Sequence, residues 1–359
     1  IVFSYQVYVT NGFVSMRDNY LYNPTRASNE YLPWITPYEI REDESGNSYV
    51  DYSTERDYFS EMQAYNIYYL MRLQPTSYTT ARLNGSTYLE LTPVKGLTIR
   101  SQQNIEAFDY RMKYFVMPED PFIDDGQHAE SFQRYYQMTF TNTAEYRFNV
   151  AEKNEFIILA GQEAILNKSD QFGATANGIT DWRNNLLSQG DPTRITLSNS
   201  ISEATFNSYF ARLSYNFDNK YYIDASWRID GSSRFGTDNR YANFYSVGAM
   251  WDIKREEWMQ GASWINDLRL KASYGTTGNA SIGNYEWIGT ISQYGLYNGS
   301  MAWGVGNPEN PNLTWETVET LNVGASARLW NFLDVNVEFY NKMTHDLLMA
   351  IPYSMTTGH

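Results

Sequence analysis

Apolar and polar residues alternate along much of the chain, most cleanly between Thr205 and Asp230. Tyr209, Ala211, Leu213, Tyr215 and Phe217 fall on one side of an extended segment, with Arg212, Ser214 and Asn216 on the other. Asp218-Asn219 follows and suits a tight turn. The chain returns with Tyr221, Ile223, Ala225, Trp227 and Ile229 on the oily side and Tyr222, Asp224, Ser226, Arg228 and Asp230 on the polar one. The pattern predicts a long β-hairpin with one consistently apolar face.

The same period returns downstream. Tyr245, Val247, Ala249, Trp251 and Ile253 form one apolar row, Leu268, Leu270, Ala272 and Tyr274 a second, and Leu321, Val323, Ala325, Ala327 and Leu329 a third. A last strand sets Leu333, Val335, Val337 and Phe339 against Asp334, Asn336, Glu338 and Tyr340. Weaker versions occupy Val2–Thr10, Ser86–Leu91, Leu97–Ala107, Phe132–Val150 and Glu155–Ile165. The reading gives roughly a dozen strands, several reaching the about nine to eleven residues that cross a bilayer at a tilt. Thr54–Leu73 is read as a loop element.

Connection lengths also alternate. Asp218-Asn219 and Trp330-Asn331-Phe332 are minimal turns, whereas Gly231–Ala242 and Thr276–Thr314 are long and rich in Gly, Asn and Ser. Short turns at one end and long loops at the other, with aromatics near strand ends (Tyr221, Trp251, Tyr274, Trp330, Tyr340), are the habit of outer-membrane barrels.

Composition sharpens this. Aromatic residues make up 16% of the 359 residues, yet mean hydropathy is −0.53, as expected when oily positions alternate with polar ones. No run of 18 or more apolar residues offers a transmembrane helix. The formal charge of −14 argues against a nucleic-acid surface, which needs basic stripes. The absence of Cys removes disulfides, thiolate metal sites and thiol nucleophiles. The expectation is an all-β chain forming a transmembrane antiparallel up-and-down β-barrel, with a soluble sandwich or solenoid as the competing architecture.

Little in the sequence carries bond chemistry. Phosphate-loop, nucleophile-elbow and zinc-helix motifs are missing, and Gly275-Thr-Thr-Gly278-Asn279 is read as a loop. His345 beside Asp346 forms a conceivable dyad without a positioned nucleophile, and a surface role fits better. His128 near Asp124 and Asp125, and the acidic stretches Asp120–Asp125 and Glu42–Glu44, lack calcium-loop spacing and read as solvated loops. No catalytic residue, metal site or cofactor is expected. Recognition is better supplied: Trp182, Trp287, Tyr294, Tyr297 and Trp303 lie on predicted loops, where rings can stack on sugars or peptide side chains.

Four stretches go further. Lys220–Gly236, reading Lys-Tyr-Tyr-Ile-Asp-Ala-Ser-Trp-Arg-Ile-Asp-Gly-Ser-Ser-Arg-Phe-Gly and followed by Asn239–Trp251, strongly resembles the SusC/RagA family of TonB-dependent outer-membrane transporters. So do Leu268–Asn279 with Ile282–Tyr285, Asn310–Thr317, and Val337–Leu348. Within the first stretch, Asp230, Gly231, Ser232, Ser233, Arg234, Phe235 and Gly236 sit where a strand must turn; they are read as a structural loop anchor, with Arg234 pairing with Asp230.

The resemblance implies a 22-stranded barrel closed by an N-terminal plug, in the outer membrane of a Gram-negative bacterium. It also implies a SusD-like surface lipoprotein as lid, the TonB complex as energy source, and an oligosaccharide or oligopeptide as cargo. Residues 1–359 would be one section, about half of that barrel, with plug, TonB-contacting segment and C-terminal closing strands outside it. Arg212, Asp224, Arg228, Arg269, Lys271, Asn322 and Arg328 would face the lumen. On this reading the chain is not an enzyme but imports a bulky nutrient. The alternatives are a soluble or surface-attached glycan-binding β-protein and an outer-membrane hydrolase barrel.

Overall fold

A computed structural model describes residues 2–10, 34–56, 58–59, 64–66, 69, 73–120, 125–181, 183 and 186–350. In chain order its strands are β1 (Val2–Thr10), β2 (Tyr38–Glu42), β3 (Ser48–Glu55), β4 (Tyr58–Phe59), β5 (Ala64–Tyr65), β6 (Thr76–Val94), β7 (Leu97–Val116), β8 (Gly126–Val150) and β9 (Asn154–Ile179). They continue as β10 (Ile195–Phe217), β11 (Tyr221–Ser232), β12 (Tyr241–Asp252), β13 (Ile265–Asn279), β14 (Thr290–Tyr297), β15 (Ser300–Asn307), β16 (Glu316–Leu329) and β17 (Leu333–His345).

Eleven of these form one antiparallel sheet in the order β1-β6-β7-β8-β9-β10-β11-β12-β13-β16-β17. Each strand lies beside its neighbour in sequence once the small hairpins β2-β3, β4-β5 and β14-β15 are set aside, which is the up-and-down topology of a barrel wall.

The register puts the alternation to use. Leu213, Ala225, Val247, Tyr274 and Leu321 lie opposite one another across β10, β11, β12, β13 and β16, a continuous apolar row. One residue along, Ser214, Asp224, Gly248, Ser273, Asn322 and Tyr340 form the matching polar row. A two-faced sheet this wide cannot bury its apolar side against itself; Trp227, Val247, Val323 and Val337 are all exposed. A bilayer supplies the missing partner.

Where β6–β10 carry polar groups on the apolar face, they bond one another. Ser101 Oγ donates to Asn142 (2.8 Å), Asn142 Nδ2 to Gln162 (3.2 Å), and Gln162 Nε2 to Asn207 (2.9 Å). This meets the demand that polar groups facing hydrocarbon be satisfied locally.

At one end the hairpins close tightly. Asp218 and Asn219 adopt φ of 50° and 55°, and Trp330 and Asn331 of 50° and 61°, the left-handed pair that matches strand twist. The β12–β13 connection at this end is longer and contains two short 3₁₀ turns, held by Lys254 Nζ donating to the carbonyls of Met259 (3.1 Å) and Ala262 (2.9 Å).

Three expectations need correction. β8, β9 and β10 run to 25, 26 and 23 residues, well past the segments read from the sequence. Beyond the apolar band, Asp109, Arg134 and Asp170 occupy the formerly oily face, so the alternation vanishes while the backbone ladder continues. Gly275–Asn279 is strand, not loop, paired with Glu316–Thr320. The long segment after it carries its own hairpin, β14-β15. Within Thr54–Leu73, the end of β3 and the pair β4-β5 are strand; most of the remainder lies outside the described residues.

Candidate functional site

The polar face holds its charges as ion pairs, some across strands and some two residues apart on one strand. Arg212 reaches Asp224 at 2.7 Å, and Ser214 Oγ donates to the same carboxylate. Arg228 bridges Asp230 (2.5 Å) and Glu163 (3.0 Å) while its guanidinium covers the Phe210 ring at 5.3 Å. Arg269 lies 3.0 Å from Asp267 and 3.6 Å from Asp252, Arg328 lies 3.5 Å from Asp334, and Lys271 pairs with Glu338.

Three open recesses gather these groups. One of about 320 Å³ brings together Asp224, Lys271 and Asn322. A second, about 540 Å³, takes Arg269 and Arg328 with Asn336. The third, about 330 Å³, holds Arg228, Asp230 and Arg234 under Trp315. The carboxylate partners Glu163, Asp252, Asp267, Asp334 and Glu338 were absent from the sequence-derived set. Their alternation parity put them on this face, but pairing requires the strand register.

The Asp230–Gly236 segment fastens the long β13–β16 connection to the sheet. Ser233 N donates to Thr205 O, and Thr205 N donates back to Ser233 Oγ, each at 2.9 Å. Arg234 does not pair with Asp230, contrary to the expectation from sequence. Its Nε donates to Asn284 Oδ1 (2.9 Å) and its Nη1 to the Ala280 carbonyl (2.8 Å). Asp230 takes Arg228 because residues two apart on a strand share a face, whereas Arg234 lies in the turn past the strand's end at Ser232. Gly236 packs so closely that a Cβ there would stand 2.8 Å from the Pro311 carbonyl oxygen. Phe235, Phe244 and Trp315 form the buried cluster at this junction, and Trp287 Nε1 donates to Ser233 O at 3.2 Å.

Among the loop aromatics, Trp287 is therefore committed to the fastening. Tyr294 donates its hydroxyl to Val305 O (2.8 Å) across β14-β15, while Tyr297 and Trp303 are 80% and 60% exposed. The hairpin from Thr290 to Asn307 contains no charged residue. Trp182 lies outside the described residues.

The acidic loops are occupied by the protein itself. Asp43 accepts from the backbone and side-chain amides of Asn47 and from the backbone of Ser45, which holds its carboxyl below the ordinary range. Asp120 accepts from Gln74 at 2.7 Å, and Asp125 pairs with Arg194 at 2.5 Å; Asp124 lies outside the described residues. Arg183 pulls the Asp181 carboxyl down to about 2. No group of three or more metal-ligating side chains exists among the described residues. His345 is half exposed, 3.8 Å from Glu319. His128 is buried against Phe115, with Nε2 3.4 Å from Glu130.

Comparison with known proteins agrees with this architecture. The family described as TonB dependent receptor-like, beta-barrel matches residues 4–358. A TonB-dependent receptor of Formosa agariphila is 32% identical over 290 residues, covering 76% of this chain and 29% of that protein. The TonB-dependent receptor SusC of Bacteroides thetaiotaomicron is 27% identical over 246 residues, covering 65% of this chain and 24% of that protein. The structure of the RagAB peptide transporter superposes with a TM-score of 0.79 at 35% identity, over 85% of this chain and 35% of that one. The matched part of the chain thus spans 29% and 24% of the length of these two curated relatives. A polar face of paired charges, an apolar face with no protein to cover it, and this match over nearly the whole length have one reading: the chain belongs to the SusC/RagA-like TonB-dependent receptor β-barrels of the bacterial outer membrane.

Proposed function

We propose that this chain is a wall section of an importer that moves a bulky nutrient, an oligosaccharide or oligopeptide, across the outer membrane with energy delivered through TonB. The observation that carries the reading is the two-faced eleven-stranded sheet, apolar toward lipid and ion-paired on the opposite side. Arg212, Asp224, Arg228, Arg269, Lys271, Asn322 and Arg328 line the lumen. Asp230–Gly236 is a structural anchor for the β13–β16 loop, and Tyr294, Tyr297 and Trp303 on that loop meet cargo at the outer mouth.

A SusD-like surface lipoprotein covers that mouth, and the plug and TonB-contacting segment implied by the family complete the machine. Transport, not bond cleavage, is the activity. The RagAB structure is named for a peptide transporter, which supports a polymeric nutrient as cargo and leaves both chemical classes in play.

The test is depletion of a mixed pool of neutral oligosaccharides and tryptic peptides from medium by cells with and without the full-length gene. Loss of uptake on gene deletion, and equally on collapse of the proton gradient, is expected. Equal depletion by both strains would overturn the import reading. A full-length protein that stays dispersed in water without detergent would favour a soluble glycan-binding protein.

A further inference from the structure

Beyond its pairing with β11, strand β10 is an open edge. β9 accompanies it as far as Ile195, whereas β11 joins it only from Phe206, opposite Ser232. Thr205 shows which backbone groups the absent neighbour leaves open: its N–H and C=O both turn to the β11 side, where they meet Ser233. Orientation alternates along a strand without bulges, so Leu197, Asn199 and Ile201 aim their N–H and C=O groups the same way. Nothing among the described residues bonds them. Ile195–Ile201 is exposed throughout and holds no charge, proline or bulge, the devices that ordinarily blunt an edge.

A strand without a third neighbour lies next to this edge. Glu203 N donates to the Tyr285 hydroxyl (2.9 Å) and Asn284 Nδ2 to Ser202 Oγ (2.7 Å), so the β13–β16 connection caps β10 where the open stretch begins. Asn307 Nδ2 donates to the carbonyls of Glu286 (3.0 Å) and Ile288 (3.4 Å), which ties the base of the β14-β15 hairpin to that cap. The hairpin is a separate two-stranded sheet with no charge, and Ile291, Leu296 and Met301 on it are exposed. Such a ribbon is marginally stable by itself.

Length and direction agree. β14 has eight residues, roughly 27 Å, against roughly 24 Å of open edge from Ile195 to Ile201. β14 runs from the cap to the hairpin tip at Tyr297, while β10 runs from Ile195 to the cap, so the two laid side by side are antiparallel.

We propose that β14 is a strap that closes onto the open edge of β10 and adds the hairpin to the barrel wall as two further strands; the separate hairpin is its open state. Closing gives Leu197, Asn199 and Ile201 backbone partners and sets the Leu197 side chain, 77% exposed, beside those of β14. It carries Tyr294, Tyr297 and Trp303 to the top of the wall. Closure is a property of the wall and is independent of what the barrel transports.

The experiment is a cysteine scan on the full-length protein in detergent, in a background free of other cysteines. Ser198→Cys is combined in turn with Ser292→Cys, Gln293→Cys and Tyr294→Cys, the positions that fall opposite it when β14 is laid upward from the cap. Mild oxidation should cross-link one pair about fivefold or more above the others, as a fixed register requires. Asn199→Pro removes an N–H that the β9 ladder does not use; it should lower that yield by about fivefold or more while heat-dependent gel mobility still reports a folded barrel.

Hydrogen exchange is the second readout. With residues 291–306 replaced by a short Gly-Ser link, the amides of Leu197, Asn199 and Ile201 should exchange faster than in the intact protein. Equal cross-linking in all pairs, cross-linking in none, or a yield unchanged by Asn199→Pro in a folded barrel would overturn the strap. Protection of these amides that outlasts the hairpin would overturn it too, and would assign the edge to a strand from another chain. Should Asn199→Pro fail to fold, the exchange comparison decides alone.

Discussion

Gly278 lies beneath the ring of Phe244 so closely that a Cβ added to it would stand 2.1 Å from Phe244 Cζ. The ring has little room to retreat, because it packs against Trp315 at 5.7 Å inside the buried cluster with Phe235. Gly278→Ala should therefore overpack this junction, costing about 1–3 kcal/mol. Thermal unfolding of the detergent-solubilised full-length protein, followed by its heat-dependent gel mobility, checks the value; an unchanged midpoint would mean that the ring moves freely.

Trp315 ties the other end of the same connection, donating Nε1–H to the Arg240 carbonyl at 3.1 Å while only 6% exposed. Trp315→Ala should remove about 3–5 kcal/mol of local stability. The sheet has its own ladder and should persist, so the loss should concentrate in the 280–314 loop. Limited proteolysis is the measurement: new cleavage within that loop with the barrel intact is expected, and wild-type resistance would contradict the fastening role.

How much of this was legible in the sequence depended on whether a feature was local. The hairpin from Tyr209 to Asp230 was readable because alternation and the Asp218-Asn219 turn are both near-neighbour signals. The outer part of β9 was not, because Lys168 and Asp170 take positions that oily residues hold lower down. Asp230 was assigned the wrong arginine since Arg228 and Arg234 are both close in sequence, and only the turn decides which one faces it. The bridge from Arg228 to Glu163 spans 65 positions and depends wholly on the register.

The face assignment makes a paired prediction. Ala225 sits between Leu213 and Val247 on the apolar row, whereas its neighbour Ser226 exchanges a hydrogen bond with Ser246 (2.7 Å) on the polar face. Arginine at Ala225 should cost about 2–4 kcal/mol at mid-membrane depth and reduce the folded protein recovered from outer membranes. Arginine at Ser226 should be tolerated, and Val335 against Asn336 should repeat the contrast on β17. Equal recovery from both members of each pair would refute a lipid-facing apolar row.

The outer end of β8 should respond to acid. His128 is 3% exposed with Nδ1 unbonded among the described residues, and its neighbours Lys113 and Arg111 share Glu130 with it. Burial pushes the imidazole below its ordinary 6.5; Glu130 opposes the shift, and Lys113 and Arg111 add to it. In the window between that lowered value and 6.5, the unfolded segment binds a proton that the folded one refuses, so stability rises with pH there and is lost as pH falls through it. Hydrogen exchange at the Phe115, Val116 and Ala176 amides, corrected for intrinsic rates, should show more frequent opening at pH 5 than at pH 7. His128→Phe should flatten the difference. The same pH dependence in that variant would place the sensor elsewhere, with the carboxylates of this end as the groups to examine.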